Sequence, residues 1–224
     1  MLASFFRSTI GKKIIMGVTG LIGIGFLVLH MVGNLQAFLG GERLNAYGAL
    51  LHGPAAELTW VVRIVLIVAV ALHVLMALQL TRAKVRARPI GYVRREPQVS
   101  TLAARTMTWG GVLLLVFIVV HILHFTTQQI DPAGWRGRTI AGERDVYGNL
   151  VASFRIWWVA AFYVVAMIAL GLHLYHGAWS SPRTLGHATP SPHPLSRRIA
   201  LAVAIVLWAG FTVVPVAVLA GILR

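Results

Sequence analysis

The chain has 224 residues, 58% of them apolar and only 12% charged, and a mean hydropathy of +0.77. An average soluble domain carries about 25% charged residues, so the composition excludes a water-soluble globule. It thereby also excludes the usual nucleic-acid reading of 20 Lys and Arg against 6 Asp and Glu. The lack of cysteine excludes disulfides, thiolate-held zinc, iron–sulfur clusters on this chain and covalent haem attachment.

A bilayer core of about 30 Å needs about 20 mostly apolar residues in a helix, and a spanning backbone must satisfy its own hydrogen bonds. Five stretches qualify, predicting an all-α bundle of five transmembrane helices in a single membrane domain over residues 1–224. The first, Ile14–Leu39, follows Arg7, Lys12 and Lys13. It is too long for a secretory signal core and has no small-residue cleavage site before Gly33-Asn34, so a retained helix is expected. The link Gly40–Glu57 predicts a short interfacial helix through Leu44, Tyr47, Leu50 and Leu51 before Gly53-Pro54. The second span is Leu58–Leu80, and seven basic residues lie in the connection Arg82–Arg105, which Pro89-Ile90-Gly91 interrupts. The third span is Met107–Ile130. The link Asp131–Arg155 is the most polar and is expected to be mobile. Span four, Ile156–Trp179, precedes a cluster of prolines from Pro190 to Pro194. Span five, Ile199–Leu223, has no histidine and no charge; a packing role and a kink at Pro215 are expected.

Charge gives the direction. With the N-terminus inside, 13 basic residues and one acid (Glu96) face the cytoplasm, and seven basic residues and five acids face out. The inner set is Arg7, Lys12, Lys13, Arg82, Lys84, Arg86, Arg88, Arg94, Arg95, Arg105, Arg183, Arg197 and Arg198. Retention of Lys and Arg on the cytoplasmic side sets this orientation.

Six of the nine histidines lie within spans: His30, His73, His121, His124, His173 and His176. Polar groups at membrane depth are costly and mark function, although a single one more often makes an interhelical hydrogen bond. Depth follows from residue number. His30 and His121 each lie about eight or nine residues from the outer end of their helix, and His73 and His173 about six or seven from the inner end, two levels roughly 10–12 Å apart at the helical rise. Two histidines at one depth on different helices suit a bis-imidazole haem, and two such levels suit an electron path across the bilayer. A mononuclear metal site needs three or four convergent ligands, and a proton relay is expected to use membrane carboxylates; the spans contain no Asp or Glu.

Spacing alone does not choose within the doublets His121/His124 and His173/His176, whose members lie near one helix face. The spare histidines could donate to a propionate, line a quinone pocket or face headgroups. His52, His187 and His193 are expected at solvated or interfacial positions. Gly17, Gly20, Gly23, Gly25, Gly110 and Gly111 permit close approach of a helix or a flat macrocycle. Arg63 and Arg155 suit snorkelling or a propionate partner, and Trp60, Trp109, Trp157, Trp158 and Trp179 an aromatic belt.

Several segments are familiar in their order and spacing: Ser8-Thr9-Ile10-Gly11-Lys12-Lys13, Met16, Thr19-Gly20-Leu21, His30-Met31-Val32-Gly33-Asn34-Leu35-Gln36, Asn45-Ala46-Tyr47, His173-Leu174-Tyr175-His176-Gly177-Ala178-Trp179-Ser180-Ser181 and Thr184-Leu185-Gly186. From Ser8 to Gly186 the chain resembles the cytochrome b558-type di-haem membrane anchor of succinate dehydrogenase/fumarate reductase (respiratory complex II). The resemblance implies two haem b groups, with His30 and His121 as axial ligands of the outer one and His73 and His173 of the inner one. It implies a flavoprotein and an iron–sulfur subunit as partners, a quinone substrate, commonly menaquinone, and a prokaryotic cell membrane. The dehydrogenase site would belong to the partners, and the basic inner face would be the docking surface. The chain departs from relatives that use a membrane glutamate near the outer haem. Asn34, Gln36, Tyr47 and Gln128 are outer-side polar candidates for a quinone, with headgroup contact as the plainer role. The alternatives are a di-haem subunit of a hydrogenase or formate dehydrogenase and a non-haem transporter or assembly protein.

Overall fold

A computed structural model describes residues 2–87, 101–134, 137, 142, 144–186 and 194–224. Arg88, Pro89, Ile90, Gly91, Arg94, Arg95, Glu96, His187, Pro190 and His193 lie outside the described residues. The elements in chain order are α1 (Leu2–Arg7), α2 (Thr9–Leu35) with a 3-10 turn Gln36–Leu39, α3 (Gly41–His52), α4 (Ala56–Arg86), and α5 (Leu102–His121) with a π turn Ile122–Thr126. After these come α6 (Val146–Arg155), α7 (Trp157–Thr184) and α8 (Pro194–Leu219). Five of these segments are long and apolar enough to cross a membrane, so the chain is an all-α, multi-pass membrane protein.

The helices overrun the apolar stretches because backbone hydrogen bonding continues where hydropathy stops. The 31 residues of α4 extend about 46 Å at the helical rise, beyond a 30 Å core, which puts Arg82, Lys84 and Arg86 in exposed turns. Starts are fixed by side-chain caps. Ser8 accepts from the Gly11 amide at 2.9 Å and donates to the Phe5 carbonyl at 2.9 Å. A Cβ at position 11 would strike that carbonyl, so the α1–α2 turn needs glycine there. Thr101 caps α5 through the Ala104 amide, and Asp145 caps α6 through the Gly148 amide.

Two central helices, α2 and α7, pack on each other. The flanking helix α4 packs on α2, the flanking helix α5 packs on α7, and α8 lies along both central helices. Small residues make the α8 contacts: Ala200 and Ala204 are buried, Gly210 abuts Met31, and Gly171 abuts Trp208. The expected packing role of the last span is therefore seen, and α8 runs through Pro215 as one helix to Leu219. Large apolar side chains such as Leu29, Ile64, Ile67 and Trp109 point outward, the pattern lipid requires.

On the face opposite the N-terminus, α3 lies against α6. The short helix expected in the first link is present. The expectation of a mobile second link is corrected for its last ten residues: Leu150, Val151 and Phe154 form an apolar face buried against Val159, Ala160 and Tyr163. Ile156, in extended conformation, separates α6 from α7. Asn45 ties the two short helices together, donating to the Asp145 carboxylate at 2.9 Å and accepting from the Tyr147 amide at 2.9 Å. Asn45→Ala is expected to cost about 1–2 kcal/mol, the usual penalty for stranding such partners, read as a lower thermal midpoint and faster proteolysis within α6.

Candidate functional site

The imidazoles of His30 on α2 and His121 at the end of α5 meet with ring centroids 5.7 Å apart, 81° between planes. Those of His73 on α4 and His173 on α7 meet at 6.1 Å and 54°. Each pair spans two helices that are not closely packed: α2 with α5, and α4 with α7. Two imidazoles on one iron stand roughly 6 Å apart by centroid, given a metal–nitrogen distance of about 2 Å on each side. Direct edge-to-face contact favours similar separations, so the second ring nitrogens carry the distinction.

The Nδ1 of His73 lies 3.1 Å from the Met16 carbonyl and 3.2 Å from Thr19 Oγ1. The Thr19 hydroxyl already donates to the Ile15 carbonyl at 2.8 Å, so both neighbours of Nδ1 are acceptors and Nδ1 carries the proton. That leaves the Nε2 lone pair bare, as iron ligation requires. His121 Nδ1 lies 3.4 Å from the Tyr163 hydroxyl. His173 Nδ1 is buried with no partner among the described residues, and His30 stacks on Phe26 at 5.2 Å.

Glycine faces each ring of the N-terminal-side pair. A Cβ at Gly20 would come within 3.4 Å of His73 Cε1, and one at Gly111 within 3.9 Å of His173 Cε1. The paired imidazoles, the held Nδ1 of His73 and these bare helix surfaces fit a flat group gripped between two imidazoles at the His73/His173 level; at the other level the imidazole pair alone carries the fit. Among the described residues no three His, Asp or Glu gather in the manner of a mononuclear metal site.

The doublets separate by contact. His121, not His124, meets His30, and His173, not His176, meets His73. His124 is 3% exposed, with Nδ1 3.0 Å from the Tyr163 hydroxyl and Nε2 3.0 Å from Ser153 Oγ. With both nitrogens engaged it is a hydrogen-bonding residue and has none left for a metal. His176 packs edge-on against Trp179 at 5.7 Å.

Other candidates are dispersed. His52 is exposed, with Nδ1 bonded to the Gly48 carbonyl at 2.8 Å. Arg63 lies over Trp60 at 5.0 Å, and Arg183 and Arg197 each lie 5.2 Å from the Trp179 ring centroid. Trp60, Trp109, Trp157 and Trp158 are exposed, as a belt would be. Asn34 donates to the His30 carbonyl at 2.9 Å, Tyr47 packs on Gly33, and Gln128 holds a positive φ of 54°.

Sequence reasoning missed Tyr163, Ser153 and Asn149 as neighbours of the histidines. A tyrosine in mid-span was the one available signal, since an intramembrane hydroxyl needs a partner. Comparison with protein-family models, curated proteins and solved structures found no match.

Proposed function

We propose that this chain is the di-haem b membrane anchor of a succinate:quinone oxidoreductase, passing electrons between an iron–sulfur subunit and a membrane quinone, with menaquinone the expected type. The observation that carries the reading is the meeting of four histidines in two pairs, one pair per level, between helices that otherwise stand apart. His73 and His173 would hold the inner haem, and His30 and His121 the outer one. Bound haem supplies one-electron redox chemistry at each level. The protein's own part is to orient and to exclude. Met16 and Thr19 fix the His73 tautomer, and the apolar spans keep water from the path. The N-terminal face, with Arg7, Lys12, Lys13, Arg82, Lys84, Arg86, Arg105 and Arg198, offers a cationic surface to a soluble iron–sulfur and flavoprotein pair. Basic retention argues for placing that face in the cytoplasm, and the resemblance implies a prokaryotic cell membrane.

Purified protein is expected to show a b-type reduced spectrum with two haems per chain by pyridine haemochrome, and to co-purify with a flavoprotein in mild detergent. No b-type spectrum would overturn the reading in favour of a non-haem transporter or assembly protein. Haem with a hydrogenase or formate dehydrogenase partner would favour that class instead.

A further inference from the structure

A run of buried polar groups leads away from His121. From His121 Nδ1 it passes to the Tyr163 hydroxyl at 3.4 Å and to His124 Nδ1 at 3.0 Å. It continues from His124 Nε2 to Ser153 Oγ at 3.0 Å and ends at Asn149 Oδ1, 3.3 Å further on. Ser153 is fully buried, and Tyr163, His124 and Asn149 are nearly so. The run joins α7, the π turn after α5, and α6. A π turn is a local departure from helix geometry that often accompanies function.

The direction of every bond in the run follows from its far end. Asn149 Oδ1 can only accept, so the Ser153 hydroxyl donates to it and Ser153 Oγ must accept from His124. His124 therefore carries its proton on Nε2 and presents a lone pair at Nδ1. The Tyr163 hydroxyl donates to that lone pair, and its oxygen accepts from His121 Nδ1–H. Each group then donates once, and His121 Nε2 is left unprotonated. Buried chains of this kind strengthen one another.

We infer that Tyr163 is a positioning residue for the outer haem, its hydroxyl orientation set by His124, Ser153 and Asn149, so that a relay ending in α6 fixes the tautomer and basicity of the His121 ligand. This inference rests on the proposed di-haem reading and adds to it a side-chain relay that acts on the outer centre. At the inner level the corresponding support comes from the α2 backbone and Thr19 instead.

The test uses the haem-loaded protein as purified, with redox titration and low-temperature EPR resolving the two haems. Tyr163→Phe keeps the ring, which Phe117, Phe125, Phe154 and Phe162 surround at 5.0–5.8 Å, and removes the hydroxyl that accepts from His121 and donates to His124. A ligand that loses its second hydrogen bond is a weaker donor to ferric iron. The outer midpoint potential is expected to rise by about tenfold in the reduction equilibrium, about 59 mV for one electron, with a moved outer g-value and an unmoved inner haem. Ser153→Ala, which does not touch His121, is expected to move the same haem in the same direction by less. Outer signals unchanged in both variants, or both haems moved equally, would overturn the inference while leaving the di-haem reading intact. A wild-type protein without haem would overturn both.

Discussion

His73→Ala and His173→Ala are each expected to halve the haem content, removing the inner haem and leaving the outer one with its own potential and EPR signal. The reason is the division of the rings into two couples: His73 meets His173 at 6.1 Å, and His30 meets His121 at 5.7 Å. With one imidazole of the couple gone, the haem proposed at the inner level would lack its second ligand. Among the described residues His176 is the remaining imidazole nearby in sequence, and it packs on Trp179 instead. His30→Ala and His121→Ala should give the reciprocal loss. Haem quantification, redox titration and circular dichroism of each variant check this together. Equal loss of both haems in every variant, with helicity retained, would refute the pairing by level.

Gly20→Leu is expected to abolish the inner haem almost as completely, although Gly20 offers no ligand. Its absent Cβ would lie 3.4 Å from His73 Cε1, a spacing an alanine tolerates. The further branched carbons of leucine reach beyond that spacing, to the imidazole and the space beside it. They would swing His73 away from Met16 and Thr19 and lose the tautomer they hold. Gly20→Ala should therefore keep both haems and Gly20→Leu only the outer one. If Gly20→Leu binds two haems at wild-type potentials, the close approach of α2 to His73 has no bearing on cofactor binding.

The five spans and the two histidine levels were legible in the sequence because both depend on one coordinate. Distance along a membrane helix is proportional to residue number, so hydropathy locates the spans and counting locates His30, His73, His121 and His173. What could not be read depends on azimuth and on local departures from the α-helix. The choice of His121 over His124 is made by which ring turns toward α2 and by the π turn that begins at Ile122. Tyr163 was missed because its mid-span hydroxyl signals only that a partner exists, and the partners lie 39 and 42 residues earlier. The helix α6 was hidden by averaging. Asp131 and the charges that follow it dominate the composition of the link, while the buried face of Leu150, Val151 and Phe154 occupies only its last few positions. Ser8 and Gly11 stood out in the sequence only within the segment that carries the resemblance, and the structure supplies a physical role for the pair: one hydroxyl serving two backbone groups and a carbonyl that leaves no room for a methyl.

The flanking helices α4 and α5 each pack on one central helix and extend a single imidazole across to the other. A cofactor gripped at those points would act as a rivet as well as a wire, clamping each outlying rod to the half of the bundle with which it otherwise shares little surface. Whatever binds only the assembled form adds its binding energy to the cohesion of the fold. Insertion of such a cofactor and closure of the bundle would then be a single event in biogenesis, and a chain starved of it would splay at α4 and α5 before its middle came apart.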